Sequence, residues 1–182
     1  MESKKIGFIG TGVMGASIVM HLLNAGHDVT IYTRTKSKAA DLISAGAKWA
    51  ETPAEASKEQ EIIFTMVGYP KDVEEVYSGE KGIFSAAKEG AIVIDMTTSE
   101  PTLAKKLYHE ARERGLHSLD APVSGGDIGA KNGTLSLMIG GDKDVFGKLY
   151  PIFELFGQNI VYQGVAGNGQ HTKMCNQIAI AS

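Results

Sequence analysis

The sequence predicts an α/β fold, a doubly wound and mostly parallel sheet with helices on both faces. Three observations carry that expectation. Short β-branched runs alternate along the chain with longer helix-like segments. The apolar runs are continuous rather than alternating, as in Ile62-Ile63-Phe64 and Ala91-Ile92-Val93-Ile94, the pattern of strands covered on both sides. A glycine cluster, Gly10-Thr11-Gly12-Val13-Met14-Gly15, separates the first strand from the first helix.

Taken in order, Lys5–Ile9 reads as a strand, and residues 13–25 as a helix with Ile18, Leu22 and Leu23 on one side. Residues 29–32 form the second strand and residues 36–44 the second helix, closed by Gly46. Residues 61–67 and 91–95 are the two buried-strand candidates. Residues 100–114 are helical, with Pro101 in the first turn, where its missing N–H costs nothing. His117–Asp120, 135–139 and 159–162 are the later strands. Residues 170–182 look helical and apolar, and the sequence stops inside them with no cap.

Composition narrows the function classes. A chain of 182 residues with 43% apolar and 21% charged residues has the makings of a soluble, core-forming domain. No apolar run approaches the ~20 residues of a membrane span. The apolar stretch after the N-terminal lysines is broken by glycines and has no cleavage signature, so a cytoplasmic location is expected. A net charge of -3 leaves no footprint for nucleic acid or an anionic membrane, and neither is expected as a partner. One cysteine, Cys175, allows no internal disulfide and no cysteine-based metal site; it reads as a packed thiol. The 22 glycines exceed the usual share of roughly 7% and mark sharp turns or close approaches.

The glycine cluster has the spacing and context of a dinucleotide-binding turn, so the doubly wound sheet is expected to be Rossmann-type. Gly10 allows the tight turn, Gly12 lets the backbone approach a pyrophosphate, and Gly15 lets helix and strand lie close. The free N–H groups of Thr11, Val13 and Met14 lie at the positive end of the helix, where phosphates bind. An NAD site normally carries an acidic residue at the end of the second strand. Here that strand ends Tyr32-Thr33-Arg34-Thr35, with Lys38 one turn on, while Asp28 lies at the wrong end. A guanidinium can grip a 2′-phosphate through paired hydrogen bonds, so NADP is the expected cofactor, with NAD a possible one.

A second constellation follows the strand that ends at Asp120. Ser124, Gly125 and Gly126 combine a hydroxyl with backbone donors suited to a carboxylate. Near the end, Gly167-Asn168-Gly169 opens a helix carrying Lys173, Asn176 and Gln177, close enough on its face to act on one ligand. His171 is a weaker candidate base, about two residues off the Lys173 face, and reads as a packing or capping residue.

These motifs resemble the β-hydroxyacid dehydrogenases, a family that includes 3-hydroxyisobutyrate dehydrogenase, 2-hydroxy-3-oxopropionate reductase and, more distantly, 6-phosphogluconate dehydrogenase. The resemblance rests on GFIGTGVMG at 7–15, DMTTSEP at 95–101, DAPVSGG at 120–126 and GNGQHTKMCNQ at 167–177. It implies a nicotinamide-binding domain at 1–166, then at 167–182 the start of a helix leading to an all-helical C-terminal domain absent from this sequence. It further implies that Met66, Val67 and Thr98 lie along the cofactor. Ser124, Gly125 and Gly126 would bind the carboxylate of a small hydroxyacid, with Gln177 beside them. Lys173 would be the acid/base and Asn176 would orient substrate and lysine. Two departures stand out: Lys173-Met174-Cys175-Asn176-Gln177 where the family often reads KxxNN, and Val67-Gly68 where it often has Leu-Pro. The expected function is hydride transfer between a nicotinamide and a small 3-hydroxyacid or its semialdehyde. A catalytically silent NADP-binding module and a 6-phosphogluconate dehydrogenase-like enzyme remain as alternatives, although the sugar-phosphate motifs of the latter are not apparent. Ile178 and Ile180 on the final helix are expected to seek another surface, which makes a homo-oligomer the expected state and the chain as given weakly active or inactive.

Overall fold

A computed structural model describes residues 2–181. Among these residues nine strands join one sheet: β1 (Lys5–Ile9), β2 (Asp28–Tyr32), β3 (Lys48–Trp49), β4 (Ile62–Thr65), β5 (Ile92–Asp95), β6 (His117–Asp120), β7 (Val123–Ser124), β8 (Leu135–Gly141) and β9 (Gly157–Gly164). The helices are α1 (Val13–Asn24), α2 (Ala40–Ser44), α3 (Pro53–Ser57), α4 (Pro70–Ser78), α5 (Pro101–Glu113), α6 (Gly126–Asn132), α7 (Lys143–Phe153) and α8 (Asn168–Ala181).

The strand order is β3-β2-β1-β4-β5-β6-β8-β7, with β9 against β8. The first six strands run parallel, in the order of a dinucleotide-binding sheet. β8 then runs antiparallel to β6 and β7, and β9 returns parallel to β8. Chain direction across the sheet reverses between β1 and β4, so the crevice beyond their carboxyl ends is where such sheets bind ligands.

Continuous apolar strands bury both faces, and the core divides accordingly. Ile6, Phe8, Ile62 and Phe64 point into one cluster with Ile18, Leu22 and Phe153. Ile9, Ile63 and Val93 point the other way, against Tyr77, Leu107 and Ala111. On the first face Phe8 stacks on Phe64 with ring centres 5.8 Å apart, and Phe156 meets Phe64 edge-on at 6.0 Å.

Several elements differ from the sequence expectation. Residues 36–44 do not form one helix: a 3-10 turn, Lys36–Ala39, precedes α2. The Thr35 side chain does not cap that turn, and a tighter first turn is a common entry to a helix whose N-terminus is uncapped. Helices α3, α4, α6 and α7 and strands β3 and β7 were not anticipated. Pro53 and Pro70 open α3 and α4, and the Thr52 hydroxyl accepts the Glu55 N–H at 3.1 Å. Pro151 reads as a helix breaker, yet α7 runs through it because Leu149, Ile152 and Phe153 are buried and hold its last turn on the sheet.

Candidate active site

The glycine turn closes the carboxyl end of β1. Gly10 takes a φ of +99° and donates its N–H to the Tyr32 carbonyl at 2.8 Å. A Cβ on Gly10 would collide with the Met66 carbonyl, and one on Gly15 with the Gly10 carbonyl. Gly12 is different. Its φ of −68° suits any residue, and a Cβ there would meet nothing within 4 Å. The fold itself therefore requires Gly10 and Gly15, whereas the space at Gly12 is left for something that approaches from outside. The start of α1 has no side-chain cap and no acidic residue in its first turn, so its dipole is uncompensated there. Thr11 is buried with its hydroxyl unpartnered, and Val13 is 75% exposed beside it. These features fit a dinucleotide pyrophosphate.

Beyond β2, Arg34, Thr35 and Lys38 are exposed, and residues 33–38 include no carboxylate. Asp28 sits at the opposite end, bound to the Lys48 ammonium at 2.6 Å. The Arg34 guanidinium is 3.7 Å from Asp72 Oδ1.

The turn opens into a cleft of about 580 Å³. Met14, Met66, Val67 and Thr98 line one side; Ser124, Gly125, Gly126, Lys173, Asn176 and Gln177 line the other. Gly125 and Gly126 take consecutive positive φ values, +128° and +62°, which turn the chain abruptly into α6. Residues far apart in sequence converge on the Ser124 hydroxyl: Lys173 Nζ donates to it at 2.8 Å and Asn176 Nδ2 at 3.0 Å. Lys173 is only 7% exposed, and burial lowers its ammonium pKa below that of a free lysine.

Thus the serine–lysine group and Met14, near the end of the glycine turn, face one cleft. Arg34, Thr35 and Lys38 lie outside its lining, at the end of β2. Two minor expectations are corrected. Cys175 is exposed rather than packed, because it lies on the solvent side of α8. His171 is exposed too, so it does not pack.

Sequence reasoning assigned no role to a buried polar frame behind the cleft. Asp120, ending β6, accepts the Gly167 N–H at 2.7 Å and the Gln170 N–H at 2.9 Å. Asp95, its neighbour on β5, accepts the Thr97 N–H at 3.0 Å. Burial pushes the Asp95 carboxyl up to about 7, against the hydrogen bonds from Thr97, and burial raises Asp120 as well. The available signal was a carboxylate closing each of two strands, Ile92–Asp95 and His117–Asp120.

Residues 5–164 match the family model for the NAD binding domain of 6-phosphogluconate dehydrogenase. An uncharacterized oxidoreductase, YkwC of Bacillus subtilis, is 63% identical over 179 residues, covering 98% of this chain and 62% of the relative. The 2-hydroxy-3-oxopropionate reductase of Escherichia coli is 44% identical, covering 97% of this chain and 60% of that protein. The structure of Mycobacterium tuberculosis 3-hydroxyisobutyrate dehydrogenase with L-serine superimposes with a TM-score of 0.94 at 32% identity, over 99% of this chain and 61% of that one. The chain thus spans less than two thirds of the length of these relatives. With its glycine turn, strand order and sequence all in agreement, the chain belongs to the β-hydroxyacid dehydrogenase family and corresponds to its N-terminal, nicotinamide-binding domain.

Proposed function

We propose that this chain binds NADP(H) and supplies the acid/base group for hydride transfer between the nicotinamide and a small 3-hydroxyacid, or the matching semialdehyde. The observation that carries the reading is the buried Lys173 amine, 2.8 Å from the Ser124 hydroxyl in the cleft reached by the glycine turn. Residues 1–166 act as the cofactor-binding unit, and residues from 167 onward carry the lysine.

When bound, the nicotinamide accepts or returns a hydride. The chain's own residues do the rest. Ser124 and the Gly125 and Gly126 N–H groups hold the substrate carboxylate, which orients the hydroxyl-bearing carbon. Lys173 takes the hydroxyl proton during oxidation and gives it back during reduction. That role needs a neutral amine part of the time, and burial shifts Lys173 in the required direction. Asn176, bonded to the same Ser124 oxygen, fixes the hydroxyl between the lysine amine and its own amide and keeps Lys173 pointed into the cleft. Arg34, Thr35 and Lys38 select the 2′-phosphate of NADP. Ile178 and Ile180, 66% and 70% exposed on α8, form the apolar surface through which copies associate, Ile180 where the cleft meets it.

The test is turnover of 3-hydroxyisobutyrate and L-serine with NADP⁺ by the full-length protein and its Lys173→Ala variant. A roughly 10²–10⁴-fold loss in turnover with NADPH affinity retained is expected. Near-normal activity in the variant would remove the lysine from the reaction.

A further inference from the structure

Helix α8 carries Lys173 and Asn176, yet apolar packing does little to hold it. Among its described residues only Gly169, Gln170 and Lys173 are buried, while Met174, Ile178 and Ile180 are exposed. Its first turn is instead fixed by polar contacts. Gln170, 1% exposed, engages both ends of its side-chain amide. Its Oε1 accepts the Ser99 N–H at 2.9 Å and its Nε2 donates to the Thr97 carbonyl at 2.7 Å, while its backbone N–H reaches Asp120. The side-chain amide cannot be reversed without setting its NH₂ against the Ser99 N–H and its oxygen against the Thr97 carbonyl.

Thr97 continues the connection. Its hydroxyl accepts the Val67 N–H at 3.0 Å, and its N–H is held by Asp95. A chain of hydrogen bonds therefore runs from Val67, on the cofactor side of the cleft, through Thr97 to Gln170. Lys173 lies three residues on, on the same helix face, and closes the circuit by donating to Ser124. Asp120 holds the same turn to β6, and this side-chain amide ties it to the cofactor side of the cleft.

We propose that Gln170 is a positioning residue for the reaction, bridging the loop after β5 to the first turn of α8 and so setting the Lys173 amine at its working distance from the nicotinamide. The proposal rests on the reading of Lys173 as acid/base. Gln170 is buried and does not line the cleft, so its removal should disturb geometry rather than binding. Misplacement of a reacting group by about 1 Å can cost on the order of 10²-fold in rate.

Two variants of the full-length protein test this. Gln170→Met keeps the side chain's bulk and deletes both side-chain hydrogen bonds. Gln170→Glu keeps the acceptor for Ser99 but sets a carboxylate oxygen against the Thr97 carbonyl; when protonated it can donate there again. For Gln170→Met, kcat should fall about 10–100-fold while KM and NADPH affinity stay within about threefold. Amide exchange should quicken at residues 97–99 and in the first turn of α8 but not in residues 10–15. For Gln170→Glu, activity relative to wild type should recover as pH falls and the carboxyl protonates, a rescue that a general loss of stability would not give. That second variant decides the matter if Gln170→Met does not fold. A folded Gln170→Met with kcat within threefold of wild type, or a Gln170→Glu defect with no pH dependence, would overturn the proposal. Lys173→Ala measured alongside separates the two readings. If it retains turnover, the acid/base assignment fails; if it loses turnover and the Gln170 variants do not, only the positioning fails.

Discussion

The two sides of the cleft are built on different principles. The cofactor side begins in a contiguous turn, residues 10–15, which reaches the cleft at Met14, offers backbone amides as donors and takes its shape from where a Cβ is missing. The opposite side is a side-chain constellation: Ser124 meets Lys173 and Asn176 from 49 and 52 residues away. The first side needs only one strand, one turn and one helix in succession. The second needs β7 and the first turn of α8 held in register by Asp120 and by the Gln170 bridge. Local backbone chemistry makes the general-purpose part of the site, and long-range polar anchoring makes the reaction-specific part.

Three measurements would break or sharpen that contrast. The largest effect is expected within the glycine turn. Gly10→Ala places a side chain at φ +99° and against the Met66 carbonyl, and should cost about 3 kcal/mol or more in unfolding free energy. Gly12→Ala should leave stability within about 0.5 kcal/mol and weaken NADPH at least about tenfold, because its Cβ fills only the space meant for phosphate. Denaturant unfolding and cofactor titration of both variants test the division of labour; equal stability losses would end it.

Next comes the outer end of the cofactor side. If Arg34 grips the 2′-phosphate as proposed, Arg34→Ala should cost about 1.5–3 kcal/mol in NADPH affinity and leave NADH affinity nearly unchanged. Calorimetric titration with both cofactors checks this. If wild type binds the two equally, Arg34 does not select NADP.

The smallest effect belongs to the frame behind the constellation. Asp95 has a folded-state pKa raised by burial to about 7, above its unfolded value. The protonated form is therefore favoured by folding, and that stabilisation is present at acid pH and lost as pH rises through about 7. Between pH 8 and pH 6 wild type should gain on the order of 1 kcal/mol relative to Asp95→Asn. Taking the difference between the two proteins removes the opposite contribution of His27, whose pKa burial lowers; Asp120, whose charge helps raise Asp95, titrates with it and is part of the difference. Parallel unfolding curves at the two pH values would show that Asp95 does not titrate in this range.

Much of the fold was legible because its strongest signals are local. Continuous apolar runs located β4 and β5, and the glycine spacing located the turn between β1 and α1. What stayed hidden were elements whose local signals mislead. Helix α7 survives Pro151 because Ile152 and Phe153 are buried, and β7 is two residues long and exists through its pairing with β8. In the site, Ser124 and Lys173 were legible as chemical types in motif-like contexts. Asp95, Asp120 and Gln170 were not, because nothing local distinguishes a carboxylate that ends a strand in solvent from one that anchors a buried helix turn.

By itself, then, the sequence determined the alternating α/β architecture, the glycine turn between β1 and α1, and the lack of a carboxylate in residues 33–38. Each follows from spacing along the chain, where the relevant groups are neighbours. Only the tertiary structure decided that Lys173 and Asn176 share the Ser124 oxygen, that Gly12 faces open space while Gly10 and Gly15 do not, and that Cys175 looks outward. Those facts depend on distances between segments brought together by burial of the two apolar faces of the sheet, and such burial is indifferent to which polar groups it draws together.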